Sequence, residues 1–317
     1  MPSGKLDKKI LLTNAGTTVA QNIIDYNEEL QPLIYGADMN PFCYAATVLD
    51  GRFFTAPPFK KWPAFKKQLL EICRKEKIDL VISCSNDEEL VMLGKNRRDF
   101  EKIGTKIMAP GNKALELCDD KLKCNEFVAG LGIKTPKTYL PSNLPKNVRF
   151  PLFLKERRGG GSAKTEKMNN KKDLAYFGSK YKGVIFQQFI KGPEYSVDMV
   201  LENRSKLIAA VCRERILAKN GLCVKTRILD NKKIISMASL IAGKIGLVGG
   251  ANMQFIGDYF IEVNPRLPGG LGLISIAGFN MSKLAIKAFF DLPISEKEKK
   301  FKKVKVLRVW KDILYEK

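Results

Sequence analysis

The stretch "YFIEVNPRLPGG" at 259–270 carries the residue types best suited to chemistry. Successive side chains of a strand point to opposite faces, so Phe260, Glu262 and Asn264 share one side and Tyr259, Ile261 and Val263 the other. A solvent-facing edge strand would also accept Glu-x-Asn, so the residues just before it decide between the readings. "GGANMQFIGDYFIEVNPR" reads as two strands, 251–256 and 259–264, turned at Gly257-Asp258. A plain two-residue loop would set Gln254 against Ile261 on the other face. An odd loop or a bulge sets it against Glu262, and that register is the expected one. One carboxylate and two amide oxygens then make a hard-oxygen set suited to Mg²⁺, with substrate phosphates completing the shell.

A second group lies upstream. Lys155 ends "PLFLK" directly before "ERRGGGS", where Gly159, Gly160, Gly161 and Ser162 can bring several backbone N–H groups close to a phosphate. Lys155 and Lys121 would add fixed positive charge. The same glycines would also serve a plain hairpin tip, and their weight comes from their company. The chain has no histidine, which excludes Ser-His and Cys-His nucleophile pairs, a histidine base and histidine metal ligands. Catalysis has to run on carboxylates, amides, Lys, Arg and bound metal.

Positioning such groups takes two kinds of layer. "KKILLTNAG", "PLIYGAD" and "IDLVISCSNDEELVML" read as strands alternating with helices at "VAQNIIDYN" and "KKWPAFKKQLLEICRKEK", which implies a doubly wound parallel sheet. Its carboxyl ends should present Asn14, Ser85, Asn86, Asp87 and Glu88. The first loop lacks G-x-G-x-x-G, so a nicotinamide cofactor is not expected. Near Pro110 the pattern changes. "NKALELCDDKLKCNEFVAGLGI" reads as one helix ending at Gly132, followed by a Pro-punctuated connection and by strands such as "GVIFQQFI" and "EYSVDMVL". The fold class expected is α/β, with a doubly wound domain over 1–110 and an α+β domain over 111–317 that includes a lid at about 148–190.

Seven scattered cysteines, never spaced C-x-x-C, argue for reduced thiols and against a disulfide framework or zinc site. No apolar run is long enough to span a bilayer, no membrane partner is expected, and cytoplasm is the expected location. The formal charge of +22 invites nucleic acid. The excess is mostly Lys spread over the whole length, apart from the tail "SEKEKKFKKVKVLRVWK", and no nucleic-acid module is visible; anionic small substrates are the expected partners.

"VIFQQFIKGPEYSVD" resembles the hinge segment of ATP-grasp ligases, where a strand edge receives adenine through backbone groups and a Glu takes the ribose hydroxyls. With "DDK", "PLFLK…GGGS" and "MQF…IEVNPR" in the same order, the chain is similar to ATP-grasp enzymes over nearly its full length. Its pattern resembles a single synthetase unit of the carbamoyl-phosphate synthetase large chain. The resemblance implies ATP and Mg²⁺ as cofactors. It puts Lys121 and Lys155 on the α- and β-phosphates and closes the 159–162 loop over the triphosphate. It sets Gln187 and the backbone of Phe189 and Ile190 at adenine, and Glu194 on the ribose. Gln254, Glu262 and Asn264 would hold Mg²⁺, and Arg266 would stabilise an acyl-phosphate.

The chain departs from the pattern in two places. Gln187 stands where many members have Glu, and Leu267-Pro268-Gly269-Gly270 replaces the serine-rich loop of the carbamoyl-phosphate enzymes. Gly269 and Gly270 leave room for a carboxylate larger than bicarbonate, with Arg213, Arg215 and Lys225 as its anion contacts. The function implied is an ATP-dependent carboxylate–amine ligase. The alternatives are phosphorylation of bicarbonate or carbamate, or a nucleotide-binding or nucleic-acid-associated protein without turnover. A homodimer is compatible with the sequence.

Overall fold

The computed structural model describes residues 6–84, 87–159, 164–219, 221–309 and 311–315. "ILLT" forms β1 (Ile10–Thr13), buried throughout as a strand covered on both faces must be. It alternates with α1 (Thr18–Asp25), β2 (Ile34–Asp38), α2 (Tyr44–Val48), β3 (Phe53–Thr55), α3 (Trp62–Glu76), β4 (Leu80–Ser83), α4 (Asp87–Lys95), α5 (Arg97–Glu101) and β5 (Lys106–Ile107). The five strands are parallel in the order β3-β2-β1-β4-β5. The winding direction reverses between β1 and β4, the place where such sheets leave a crevice for ligands.

That crevice differs in detail from the expectation. Asn14 is there, but Glu88 faces solvent, because the first turn of α4 carries it outward. Glu89 reaches back instead and accepts hydrogen bonds from the Thr13 hydroxyl, the Asn14 amide and, at 3.0 Å, the Ser83 hydroxyl. Burial pushes its carboxyl up to about 7, with Thr13 and Ser83 opposing the rise. Ser85 and Asn86 lie outside the described residues.

The single helix expected after Pro110 is two: α6 (Asn112–Asp119) and α7 (Lys121–Gly130). Asp120 leaves the helical path and caps the second, its side chain accepting from the Lys123 N–H at 3.3 Å. Next come β6 (Thr138–Tyr139), β7 (Leu152–Glu156), β8 (Thr165–Met168), α8 (Lys171–Lys180) and β9 (Val184–Gln188), which build a four-stranded antiparallel sheet, β6-β9-β7-β8.

The rest is β10 (Glu194–Leu201), β11 (Leu207–Lys219), β12 (Leu222–Leu229), α9 (Lys232–Ile245), β13 (Gly249–Ile256), β14 (Tyr259–Asn264), α10 (Leu271–Ser275), α11 (Met281–Phe289) and β15 (Lys305–Leu307). Its six strands form an antiparallel sheet, β14-β13-β10-β11-β12-β15. One face is apolar: Val197, Met199, Cys212, Met253, Phe255, Phe260 and Val263 pack on Ala238, Ile241 and Ala242 of α9. The other face is dry at one end, where Val200, Val211 and Ile228 join Ile10, Leu12 and Leu267 in one cluster. The parallel and antiparallel sheets therefore share a core, which fixes the crevice relative to the polar end of the second sheet.

Asp120 connects these layers. Its buried carboxylate accepts from Arg157 Nε at 2.9 Å and Nη2 at 2.7 Å and from Arg158 Nη2 at 3.2 Å, while the Lys121 N–H donates to the Arg157 carbonyl at 3.0 Å. Burial pushes Asp120 up, but Arg157, the Lys123 N–H and Arg158 together hold it below the ordinary carboxylate range. A depressed carboxyl stabilises the fold above its unfolded value, near 3.9, and that contribution is lost as pH falls through the folded value. Asp120→Asn is expected to cost about 2 kcal/mol at pH 7, less than for a fully buried pair because Arg157 and Arg158 are partly exposed. The gap from the unaltered chain should narrow below about pH 4. Urea melts at the two pH values measure it.

Candidate active site

The site is written across the polar face of the six-stranded sheet. Cross-strand partners share a face, so the pairing Arg213–Ser196–Gln254–Glu262 forms one row over β11, β10, β13 and β14. Val211–Asp198–Asn252–Asn264 forms the next. Gln254 does stand opposite Glu262. The device is a two-residue turn at Gly257-Asp258 plus a bulge, since Phe255 pairs Phe260 while Gln254 pairs Glu262. The extra residue is Ile261.

The bulge also corrects the strict alternation expected for β14. Phe260 does not share the face of Glu262. It packs in the core against Phe255, ring centroids 5.9 Å apart at 77°. The bulge turns the Ile261 carbonyl toward Lys155 Nζ, 3.3 Å away, and Asn125 Nδ2, 3.4 Å away. One irregular residue thus sets Gln254 opposite Glu262 and supplies a seat for a buried lysine.

A cavity of about 620 Å³ lies over this face and extends to the end of β9 and to the loop after β14. Glu262 lines it and accepts no hydrogen bond among the described residues, yet it is surrounded by cations. Burial alone pushes its carboxyl up, but Lys155, Lys121, Arg215 and Arg266 outweigh burial and hold it ionised, below the ordinary value. Burial pulls the Lys155 ammonium down to about 8, with Glu262 opposing and Lys121 reinforcing the shift. Arg266 Nε donates to Asp87 Oδ1 at 2.9 Å, so Arg266, two residues beyond β14, is gripped by the first residue of α4.

Gln187, Phe189, Ile190, Glu194, Gln254, Glu262, Asn264, Lys155, Arg266, Gly269 and Gly270, all singled out from the sequence, line that one cavity. Some do so differently from the expectation. Gln187 is buried, its Nε2 donating to Thr138 Oγ1 at 2.9 Å across β6 and β9. Glu194 forms an ion pair with Arg215 at 2.6 Å. Lys121 sits outside the lining and donates from Nζ to the Gly159 carbonyl. Arg213 is bound to Asp198, Nε to Oδ2 at 2.6 Å.

Lys225 is not brought to the site. Arg213 pairs Ile228 and Arg215 pairs Thr226, which leaves Lys225 on the opposite face, exposed. Gly160, Gly161 and Ser162 lie outside the described residues. Sequence reasoning missed Asp198, Asn252 and Arg308. Asn252 and Asp198 each stand at even spacing from a residue already chosen, Gln254 and Glu194, and that parity was the available signal.

The donor set fits Mg²⁺. Asn264 Nδ2 points to Asn252 Oδ1 at 3.5 Å, and Asn252 Nδ2 donates to Asp198 Oδ1 at 2.7 Å, which leaves the Asn264 amide oxygen free for the cavity. With Gln254 and Glu262 that gives three hard-oxygen side chains carrying one net negative charge. Such a set holds the ion productively only when anionic oxygens of a ligand share it.

Comparison with known proteins identifies the two domains. Residues 118–270 match the ATP-grasp domain family, and residues 10–108 match the PylC-like N-terminal domain. The carbamoyl-phosphate synthase of Methanobrevibacter smithii is 23% identical over 237 residues, 68% of this chain and 64% of that one. The D-alanine–D-alanine ligase of Fusobacterium nucleatum is 27% identical over 58% of this chain and 68% of its own length. The chain thus spans less than two thirds of the methanogen relative. Among solved structures, the L-amino acid ligase of Bacillus licheniformis superimposes with a TM-score of 0.74 at 16% identity, covering 94% of this chain and 78% of that one. The N5-carboxyaminoimidazole ribonucleotide synthetase of Thermus thermophilus gives 0.68 at 22%, covering 91% and 80%. At these identities the superpositions speak to fold. Residues 118–270 thus carry an ATP-grasp domain and residues 10–108 a PylC-like N-terminal domain, and the superpositions accord with that fold.

Proposed function

We propose that this chain joins a carboxylate to an amine at the expense of ATP, through an acyl-phosphate, releasing ADP and phosphate. The observation that carries the reading is Glu262: an ionised carboxylate with no hydrogen-bond donor of its own, set opposite Gln254 beside a free Asn264 oxygen, with Lys155 and Arg266 in its field. A plain structural carboxylate would be bonded to one of its cations. This one is left open on the cavity side, as a metal ligand must be.

The roles divide along the cavity. The apolar end, with Phe189, Ile190 and Ile256, receives the adenine, and Glu194 the ribose. Lys155, buried and seated on the Ile261 carbonyl, together with Lys121 neutralises the α- and β-phosphates. Glu262, Gln254 and Asn264 would hold Mg²⁺, which when bound would supply Lewis-acid neutralisation of the phosphate oxygens. A carboxylate oxygen of the substrate attacks the γ-phosphorus and ADP leaves. Arg266, pinned by Asp87, faces the charge that builds on the acyl-phosphate while the amine displaces inorganic phosphate. Phosphorylation of bicarbonate, the chemistry of the carbamoyl-phosphate relatives, is the second reading, favoured by those sequence matches alone. A cytoplasmic setting accords with seven free, mostly buried thiols.

A screen of carboxylate and amine pairs for ADP release tests the ligase; ADP formed with bicarbonate and with no larger carboxylate would move the chain to the second reading. Glu262→Gln and Asn264→Ala are each expected to lower ADP release at least about a hundredfold, with the circular dichroism unchanged, because each removes a ligand from a site with few to spare. Retained turnover would return Glu262 to a solvated-strand role.

Lys155 gives a separate pH signature in the nucleotide-free protein. Its folded value of about 8 lies below the ordinary 10.5, so between the two the unfolded chain binds more protons and stability rises with pH. The rise should reach on the order of 3 kcal/mol, and Lys155→Met should remove it. Denaturant melts at pH 7.5 and pH 10 on both proteins read the difference.

A further inference from the structure

β15 is the last strand of the six-stranded sheet and pairs on one side only, with β12. The Ile228 N–H donates to the Val304 carbonyl and the Arg308 N–H to the Val224 carbonyl, each at 2.8 Å. Backbone groups of an antiparallel strand alternate between its two sides, so Val304, Val306 and Arg308 turn theirs to β12, and Lys305 and Leu307 turn theirs outward. Among the described residues nothing pairs with that outer row.

The side chains alternate as well. Val306 packs against the apolar cluster shared by the two sheets, and Arg308 Nη2 donates to the Gly269 carbonyl at 2.7 Å, so both face inward. Lys305 and Leu307 are on the other face and exposed. There the pairings run Leu217–Lys225–Leu307 and Glu214–Arg227–Lys305 across β11, β12 and β15. Helix α9 packs farther in, on Met199, Cys212 and Phe255, and leaves this corner of the sheet uncovered.

An open edge is ordinarily guarded against pairing by short length and by lysines, and β15 has both. The guard is of one sign, however. Arg227 is matched by Glu214 at 2.6 Å and Lys303 by Asp230 at 3.6 Å, whereas Lys302 and Lys305 meet no carboxylate among the described residues. Leu307 and Val309, 61% and 73% exposed, are not residues that a purely protective edge shows. A second copy of the chain would bring the same lysines and a formal charge of +22 to the edge, and repulsion opposes it. An acidic strand meets attraction at Lys305, an apolar neighbour at Leu307 and a free row of backbone groups between them.

We propose that β15 is a docking edge for an extended acidic segment of another protein, which joins the sheet as a seventh strand. Residues two apart in that segment share a face, so its recognition unit is an acidic residue against Lys305 and an apolar one against Leu307, with one residue between. The lysines that keep copies apart thereby select the partner. Lys305, Leu307 and Val309 do not line the cavity, and the proposal does not rest on the ligase reading.

The test is fluorescence anisotropy of the full chain with a dye-labelled synthetic peptide, Glu-Thr-Val-Thr-Glu-Thr-Val, at low ionic strength. Saturable binding with Kd on the order of 100 µM is expected, weakened about fivefold or more when Lys replaces Glu in the peptide. N-methylation of the Glu and Val residues, whose N–H groups face β15, should abolish binding, whereas N-methylation of the Thr residues should leave it within about twofold. Lys305→Glu should weaken the unmodified peptide at least about fivefold. Leu307→Pro should weaken it at least about tenfold, because the Leu307 N–H points away from β12 and its loss leaves that pairing intact. If Leu307→Pro alters the circular dichroism, the two N-methylated peptides carry the backbone test. No saturable binding, unchanged binding to Lys305→Glu, or equal binding of the two N-methylated peptides, the mark of a general polyanion patch, overturns the proposal. Concentration-dependent dimerisation that Lys305→Glu alters, with no peptide bound, would give the edge to a second copy and overturn it too.

Discussion

The structure turns on one unpaired carboxylate. Glu262 stands in the field of Lys155, Lys121, Arg215 and Arg266, yet Arg215 is matched by Glu194 and Arg266 by Asp87. Among the described residues the two lysines have no acidic partner, one resting on the Ile261 carbonyl and the other on the Gly159 carbonyl. Burying an ammonium costs free energy unless an anion arrives, and the fall of Lys155 to about 8 is the measure of that tension. A triphosphate with its metal relieves it: the anion answers the lysines and the cation answers Glu262. The apoprotein is thus electrostatically incomplete in the direction its ligand would complete it.

Holding such charges needs a scaffold that cannot slip by one residue. The sheet supplies it through buried polar groups of two adjacent rows, Arg213 in one and Asp198 and Asn252 in the next, all nearly inaccessible. A one-residue slip would carry Asp198 onto the α9 face, among Val197, Met199 and Phe255. Buried ion pairs are poor sources of net stability but good register marks. The Arg213–Asp198 pair locks β11 to β10, and Asn252 carries the same carboxylate on to β13 and, through Asn264, to β14. The Asn264 amide is therefore oriented by a chain of contacts that starts three strands away, at Arg213.

This division explains what the sequence could and could not disclose. Alternating strands and helices at the start, the paired strands around Gly257-Asp258 and the Glu-x-Asn-x-Arg run follow from periodicity and turn chemistry, which are local. The bulge was foreseen only because Gln254 needed it; its location at Ile261, and the burial of Phe260 that follows, depend on packing against α9. Asp120 reads as helical in "CDDKL" because a capping residue and a helix residue look alike until Arg157 and Arg158 arrive from another strand. Lys225 seemed a partner of Arg215 until pairing set it on the other face. Arg308 was hidden in a Lys-rich tail that composition assigns to solvent.

The two layers cannot act independently. Arg266, on the cavity side of the antiparallel sheet, is held by Asp87, the first residue of a helix that belongs to the parallel sheet, and both sheets share the cluster around Leu12, Val211 and Leu267. Two positions beyond Asp87, Glu89 closes the crevice by drawing β1 and β4 together through Thr13 and Ser83. Helix α4 thus carries both contacts, Glu89 to the crevice and Asp87 to Arg266. The PylC-like domain therefore does more than cover a hydrophobic face. It supplies Asp87, the partner that holds Arg266 at the cavity, so the crevice between β1 and β4 and Arg266 are joined through a single helix.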